Sequence, residues 1–182
     1  MTSASSIEIR PATAQDAMAI AEIHVASWQA AYEGIMPAPF LAGLSVEKRA
    51  LMWREFIEAG NPRVAIACAK HEAAGWIAYG RCRDADTGPG CGEIIAINLH
   101  PSRFRQGVGS LLIAHACSLL HEAGYAEVLL WTLTHNLRAR AFYERLGFAP
   151  EGRLKEIEID GTALSEIRYW RSLVDHSPAS LK

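Results

Sequence analysis

The segment HPSRFRQGVGS, residues 100–110, places two arginines and two closely spaced glycines immediately before a long apolar stretch. A helix that begins there has N–H groups without partners in the helix, and its dipole is positive at that end. Glycines allow the backbone to approach an anion closely, because they have no Cβ atom. Arg103 and Arg105 add positive charge. The segment therefore predicts a phosphate site at the start of a helix.

The two glycines alone do not identify the phosphate group. Gly107 and Gly109 lack the third glycine of a dinucleotide-binding loop and the Gly-Lys-Ser/Thr ending of a P-loop. An ordinary turn that happens to use glycines is the alternative. The formal net charge of -2 gives no general basic excess, so nucleic acid is not an expected partner.

The segments around this loop alternate between strand and helix patterns. Hydrophobic periodicity, caps and turn residues predict strands at 7–10, 63–70, 75–83, 93–99, 127–132 and from 148, and helices from Thr13 to about Tyr32, at 46–58, 107–123 and 136–146. Asp160-Gly161 is typical of a hairpin turn, and residues 33–45 are expected to form a loop. We predict one domain over residues 1–182, with a core of 7–173 and a frayed tail after Asp175.

Composition places the chain among folded proteins, because 50% of its residues are apolar and 21% are charged. Its apolar runs are too short to cross a membrane, and its first residues lack the charge and apolar pattern of a secretion signal. The four cysteines fit no zinc-binding spacing and are expected to be reduced thiols: Cys68, Cys82, Cys91 and Cys117. These features predict a cytoplasmic protein without a metal ion.

The segment NLRARAFYERLGF, residues 136–148, resembles a helix motif of the GNAT acetyltransferase superfamily, N-x-x-A-x-x-F-Y-E-x-L-G-F. The matching positions are Asn136, Ala139, Phe142, Tyr143, Glu144, Leu146, Gly147 and Phe148. The glycine loop between two buried strands and the opening RPATAQDAMAIAEIH also look like that superfamily, so the resemblance extends over residues 7–173. It implies an α/β fold of the α+β kind: a mixed, mostly antiparallel sheet flanked by helices, with two strands splayed at the site for coenzyme A (CoA). It also implies an acetyl-CoA-dependent N-acetyltransferase.

The resemblance further implies which residues hold acetyl-CoA. Its pyrophosphate would lie on the backbone of the loop, its pantetheine arm along the strand before the loop, and its acetyl end near the next helix. The residues at these positions are Arg105, Gln106, Gly107, Val108, Gly109 and Ser110, then Ile97, Asn98 and Leu99, and finally Asn136 and Tyr143. The chain departs from the family at Phe104, where the loop usually has glutamine or arginine. Whether Arg103 or Arg105 contacts phosphate stays open.

The implied reaction is direct transfer of the acetyl group from sulfur to an amine, which must first lose a proton. Glu93, at the start of the strand that leads to the loop, is our candidate base, acting through water; the alternative is an ordinary solvent-facing residue. His100 is a weaker candidate. Tyr143 resembles the family's general acid, which would protonate the departing thiolate; alternatively it packs against the sheet.

The acceptor is expected to enter between the first helical region and the last hairpin. Tyr32 and Met36 are the favoured contacts, whereas Trp28 is favoured as a core residue and Phe40 is left open. Glu33, Glu156 and Glu158 could attract a cationic amine or lie in solvent. We predict transfer to the primary amine of a small molecule. The alternatives are acetylation of a protein N-terminus or lysine, and a CoA-binding sensor without turnover. A homodimer is also predicted.

Overall fold

The computed structural model describes residues 7–174, and the tail predicted to fray after Asp175 lies outside them. Seven strands form one sheet in the order β1-β2-β3-β4-β5-β7-β6. Their bounds are β1 Ile7–Pro11, β2 Arg63–Ala69, β3 Glu72–Arg81, β4 Cys91–Leu99, β5 Glu127–Leu133, β6 Ala149–Ile159 and β7 Thr162–Ser172. All neighbouring strands are antiparallel except β4 and β5, which run parallel.

Five α-helices cover the sheet: α1 Ala17–Ala31, α2 Ala38–Ala42, α3 Val46–Ala59, α4 Val108–Glu122 and α5 Leu137–Arg145. The predicted caps are present before α1 and at α5. Thr13 caps a 3-10 turn, Ala14–Asp16, that leads into α1, and the carboxylate of Asp16 accepts from the Thr13 N–H at 2.7 Å. At α5, Asn136 Oδ1 accepts from the Ala139 N–H at 3.1 Å. The mixed sheet with flanking helices confirms the predicted fold class.

β4 begins at Cys91 rather than at the predicted Glu93, and two further segments differ from the sequence prediction. Residues 33–45 contain the short helix α2, which follows Pro37, because proline is well suited to the beginning of a helix. The strand predicted from Gly75 to Arg83 is instead Glu72–Arg81. It begins earlier because Lys70 and His71 both have positive φ, 52° and 70°, and form the hairpin turn without a glycine or asparagine.

The splay between β4 and β5 creates the space in which a site can form. The two strands pair only where Cys91, Gly92 and Glu93 meet Glu127, Val128 and Leu129. Directly after this pairing, Ile95 is an extra residue in the register of β4 against β3, which is a β-bulge. A bulge bends its strand and increases its twist, so the second half of β4 turns away from β5. The predicted splayed strands are thus present.

Apolar side chains fill both faces of the sheet. The α4 face carries the larger cluster, in which Leu112 and Ile113 of α4 pack on strand residues such as Ile77 and Val128. On the opposite face, α1 and α3 pack around Trp76, whose ring centroid lies 4.4 Å from that of Trp53. With both faces covered, the gap between β4 and β5 is the part of the sheet centre that is left open.

The Asp16 carboxylate is predicted to stabilise the start of α1 in a pH-dependent way. Hydrogen bonds from Arg10 lower its pKa to about 2 from a usual value of 3.8. Its contribution is therefore full above about pH 4 and is lost as the pH falls toward 2. We expect Asp16→Ala to lower the free energy of unfolding by about 1–2 kcal/mol at pH 7. Urea unfolding at pH 7 and pH 3 should show the difference shrinking, with the exposed Glu22→Gln as control; a difference that stays constant contradicts the assignment.

Candidate active site

A cavity of about 670 Å³ lies at the splay between β4 and β5. Its walls come from the end of α1, the half of β4 that does not pair with β5, the loop before α4 with the start of that helix, residues of β5 and β7, and α5. In an antiparallel pair every second residue directs its N–H and C=O away from its partner strand. Beyond Glu93 those groups of β4 face the splay rather than β5. The cavity therefore has a strand edge along one wall.

The two glycines of the loop have different structural roles. Gly107 is the N-cap of α4 with φ +83°, and a Cβ there would meet no atom within 4 Å. Gly107 is thus required by its left-handed backbone. A Cβ on Gly109 would lie 3.0 Å from Cζ of Phe142, so this glycine is required for packing of α4 against α5. Arg105 also has a positive φ, 62°, which concentrates backbone strain in the loop.

Most of the residues predicted to hold acetyl-CoA line this cavity: Ile97, Asn98, Leu99, Arg105, Gly107, Gly109, Ser110, Asn136 and Tyr143. Two predicted residues are not among the side chains that line it. Gln106 donates from Nε2 to the Ser102 carbonyl at 2.6 Å, and Val108 is buried in the core beneath the loop. Arg103 lies 3.4 Å from a carboxylate oxygen of Glu72, so Arg105 is the arginine of this pair that faces the cavity.

Tyr143 both packs against the sheet and lines the cavity, so its packing is compatible with the acid role predicted for it. Its ring packs between Phe142 and Phe148, with centroid distances of 5.3 and 6.0 Å, and it also lines the cavity. Within residues 7–174 its hydroxyl has no hydrogen-bond partner, whereas the hydroxyl of the neighbouring Tyr169 accepts from Arg140 and donates to Glu144. Burial, and secondly the neighbouring Tyr32, raise the pKa of Tyr143. The hydroxyl therefore stays protonated at neutral pH and faces an open space.

Asn136 also both stabilises the fold and lines the cavity. Its Oδ1 caps α5, its side chain is buried, and the residue lines the cavity beside Thr132 and Tyr143. The cap fixes the orientation of the side chain, because the carbonyl oxygen must point to the helix. The NH2 group of the Asn136 side chain remains available to donate a hydrogen bond to a ligand.

The structure does not bring Glu93 into the cavity. Glu93 lies in the closed part of the sheet, before the bulge, and its side chain is 3% exposed. Both carboxylate oxygens are held by Arg83, with Nε to Oε2 at 2.9 Å and Nη2 to Oε1 at 2.6 Å. The Arg83 N–H also donates to Oε2 at 3.1 Å. A buried carboxylate with this set of partners has a structural role at the start of the splay, and Glu93 is not among the residues that line the cavity.

Of the other predicted candidates, some line the cavity and others do not. Tyr32 lines the cavity, whereas Met36 is buried against Leu41, Leu133 and Leu164 below it. Trp28, which the sequence favoured as a core residue, both packs against His24 and lines the cavity. His100 accepts the Ser102 N–H at 3.3 Å and is exposed, which is a local capping role. Glu33, Glu156 and Glu158 are exposed.

Sequence reasoning missed several residues that the structure adds to the cavity: Ser27, Phe104, Trp131, Thr132, Arg138, Arg145 and Glu166. Arg138 stacks on Phe104, its guanidinium carbon 4.1 Å from the ring centre. The departure from the family pattern at Phe104 is thus accompanied by an arginine from α5 at the same end of the cavity. Only Arg138 and Arg145 could have been expected, since they lie in the motif helix itself.

Residues 7–174 contain neither a helix able to cross a membrane nor a cluster of His, Cys, Asp or Glu side chains that could hold a metal ion. No helix there has both the length and the apolar character needed to cross a membrane. That part of the chain also brings together no group of three or more His, Cys, Asp or Glu side chains able to hold a metal ion. All four cysteines are free thiols.

Comparison with known proteins agrees with the geometry. The acetyltransferase (GNAT) family model matches residues 20–148. An uncharacterized N-acetyltransferase of Bacillus subtilis (strain 168), YuaI, is 29% identical over 163 residues, which cover 88% of this chain and 90% of that protein. The PaiA N-acetyltransferase of Thermoplasma acidophilum, whose crystal structure contains coenzyme A, superposes with a TM-score of 0.71 at 21% identity, over 92% of this chain and 99% of that one.

A second solved structure, yncA of Salmonella typhimurium with acetyl-CoA, has a TM-score of 0.69 at 18% identity, over 97% of this chain and 99% of that one. The splayed sheet, the glycine loop and the motif helix together define an acyltransferase that uses acetyl-CoA. The chain belongs to the GNAT acetyltransferase family.

Glu93→Gln tests whether this carboxylate is structural. Loss of its charge-assisted hydrogen bonds to Arg83 is expected to lower the free energy of unfolding by about 1.5–3 kcal/mol. The shape of the pH profile of kcat/KM for acetyl transfer should stay that of the wild type, because a structural carboxylate carries no catalytic proton. Chemical unfolding and pH-rate profiles check this, with the exposed Glu58→Gln as a matched control. A variant of unchanged stability that loses activity at low pH would restore Glu93 as the base.

Proposed function

We propose that this protein transfers the acetyl group of acetyl-CoA directly to a primary amine of a small molecule. The observation that carries the proposal is the Tyr143 hydroxyl, which is protonated, lacks a protein partner among the described residues and faces the cavity at the splay. A proton donor at this position is suited to a reaction in which a thiolate is the leaving group. The acceptor class is the part of the proposal that goes beyond the family.

The residues of the cavity fit acetyl-CoA. The loop that ends at Gly107, with Arg105 and Arg138 beside it, supplies positive charge and helix N–H groups for phosphates. The free edge of β4 at Ile97–Leu99 supplies backbone groups for an amide-containing arm, in the way that an added strand pairs with a sheet edge. When bound, acetyl-CoA supplies an activated thioester carbonyl.

The chain's own groups account for the remaining requirements of the transfer. A backbone N–H on the free edge of β4 is positioned to polarise a carbonyl in the splay. As the C–N bond forms and the C–S bond breaks, Tyr143 donates its proton to the sulfur. The amine must lose its proton before attack. Because Arg83 holds Glu93 outside the cavity, we assign this proton to cavity water rather than to Glu93.

The side chains on the acceptor side support a small molecule. Tyr32 and Trp28 border the cavity on the α1 side, and Trp131 with Glu166 borders it on the β7 side. A lysine or N-terminus of a protein would have to reach between these side chains on an extended segment. The predicted homodimer also stays a proposal; β6, an exposed strand at the edge of the sheet, is where a second copy would pair.

Acetyl-CoA is expected to raise the melting temperature of the protein. A ligand at about 100 times its dissociation constant adds roughly 2.7 kcal/mol of stability. For a chain of this length that corresponds to a shift of about 5–10 °C. The measurement is a thermal melt with and without acetyl-CoA, with NAD and ATP as controls. No shift, or equal shifts with all three, would contradict the assignment of the cavity.

Tyr143→Phe is expected to reduce kcat about 10²-fold or more, because the departing thiolate then has no proton donor. The dissociation constant of acetyl-CoA should change little, since only one hydroxyl is removed. Tyr125→Phe, a partly buried tyrosine outside the residues that line the cavity, is the matched control. Steady-state kinetics and melts with acetyl-CoA separate the two effects. Unchanged kcat removes Tyr143 from the mechanism, whereas bound acetyl-CoA without transfer to any amine would indicate a sensor.

A further inference from the structure

The charged side chains of the cavity are divided between two sides. Three arginines line it, Arg105 in the loop before α4 and Arg138 and Arg145 on α5. One acidic side chain of the described chain lines it, Glu166 on β7. In the proposed function the arginines serve the anionic cosubstrate. Glu166 is then the charge that remains to meet the acceptor.

Glu166 is held in place by an ion pair that occupies one of its two carboxylate oxygens. Its side chain is 20% exposed, and its Oε2 lies 2.9 Å from Nζ of Lys155, the residue opposite it on β6. A carboxylate has two oxygens and about four acceptor positions. Its Oε1 has no partner among residues 7–174. The ion pair therefore orients Glu166 and leaves one oxygen for a further donor.

Aromatic rings surround the same part of the cavity. Trp28 and Tyr32 meet edge to face with centroids 5.2 Å apart. Trp131 on β5 is a diagonal neighbour of Glu166, which lies opposite Leu133. Protein cations already lie over the two tryptophans: Lys155 Nζ and the Arg168 guanidinium carbon are 4.3 and 5.7 Å from the Trp131 ring centre, and the Arg49 guanidinium carbon is 5.4 Å from that of Trp28. Burial, and secondly the charge of Glu166, raise the pKa of Tyr32 to about 12. The Tyr32 hydroxyl and the Glu166 carboxylate are therefore close enough to interact.

An aromatic wall with one carboxylate is suited to an organic cation. Ring faces attract cations, and they attract them more strongly where water is excluded. A carboxylate accepts charge-assisted hydrogen bonds from an ammonium group. An acceptor with its own carboxylate would instead be repelled by Glu166.

We propose that Glu166 binds the ammonium group of the acceptor before that group loses its proton to cavity water, and that the acceptor is a cationic amine with an apolar or aromatic body rather than an amino acid. This inference rests on the proposed function and names its substrate class. Lys155 acts as a positioning residue, because it holds the Glu166 carboxylate through Oε2 and leaves Oε1 for the acceptor.

The test compares four amines as acceptors: phenethylamine, 1,4-diaminobutane, phenylalanine and glutamate, with acetylated product measured by mass spectrometry. We expect kcat/KM to be at least 10-fold higher for the two cations than for the two amino acids. Glu166→Gln should raise KM for phenethylamine about 10- to 100-fold, the range for a lost hydrogen bond to a charged group. The melting shift with acetyl-CoA should stay that of the wild type. Glu158→Gln, exposed on the same hairpin, is the control and should behave as the wild type.

A charge-swapped pair separates this role from a structural one. The double variant Lys155→Glu with Glu166→Lys keeps an ion pair between β6 and β7 but reverses the charge at the cavity. We expect its melting temperature to be near that of the wild type and its KM for phenethylamine to stay high. Recovery of wild-type KM in the swap, or unchanged KM in Glu166→Gln, overturns the inference while the proposed function stands. If the wild type acetylates none of the four amines and shows no melting shift with acetyl-CoA, the proposed function fails and this inference fails with it.

Discussion

The short pairing between β4 and β5 is the constraint on which the rest of the site depends. Three residues on each strand meet, and the bulge at Ile95 then directs β4 away. Unpaired backbone N–H and C=O groups inside a protein are costly unless water or a ligand satisfies them. An open strand edge at the centre of a sheet is therefore a binding surface. The parallel connection through α4 also brings the glycine loop to the mouth of this gap.

Ion pairs on both sides of the gap keep its walls in place. Arg168 on β7 is 5% exposed and contacts Asp84 and Asp86 of the β3–β4 loop at 3.0 and 2.9 Å, and Glu151 of β6. The indole N–H of Trp131 donates to Asp84 at 2.9 Å, which fixes this ring in the cavity wall. A buried charge is stable only with such partners. Because Arg168 and its acidic partners neutralise one another, few charged side chains remain to interact with a ligand.

The sequence predicted most of the elements because their patterns are local. Helix caps at Asp16 and Asn136, the glycine turn at Gly107 and the apolar strand before it are determined within a few residues of chain. The prediction failed where local preferences were weak or concealed. A hairpin turn formed by Lys70 and His71 has no characteristic residue, and α2 lies in a segment rich in proline and glycine. Tertiary packing decides such segments.

What the sequence by itself determined is the family, the sheet with its flanking helices, and the loop and helix that adjoin the cavity, since each of these follows from residue order and spacing. Only the tertiary structure decided which charges face the cavity. Glu93 and Glu166 both lie in strands as carboxylates, yet Arg83 withdraws the first from the cavity and Lys155 orients the second beside it. The physical reason is that a carboxylate's role depends on its partners, and these partners come from separate strands and loops that meet only in the folded chain.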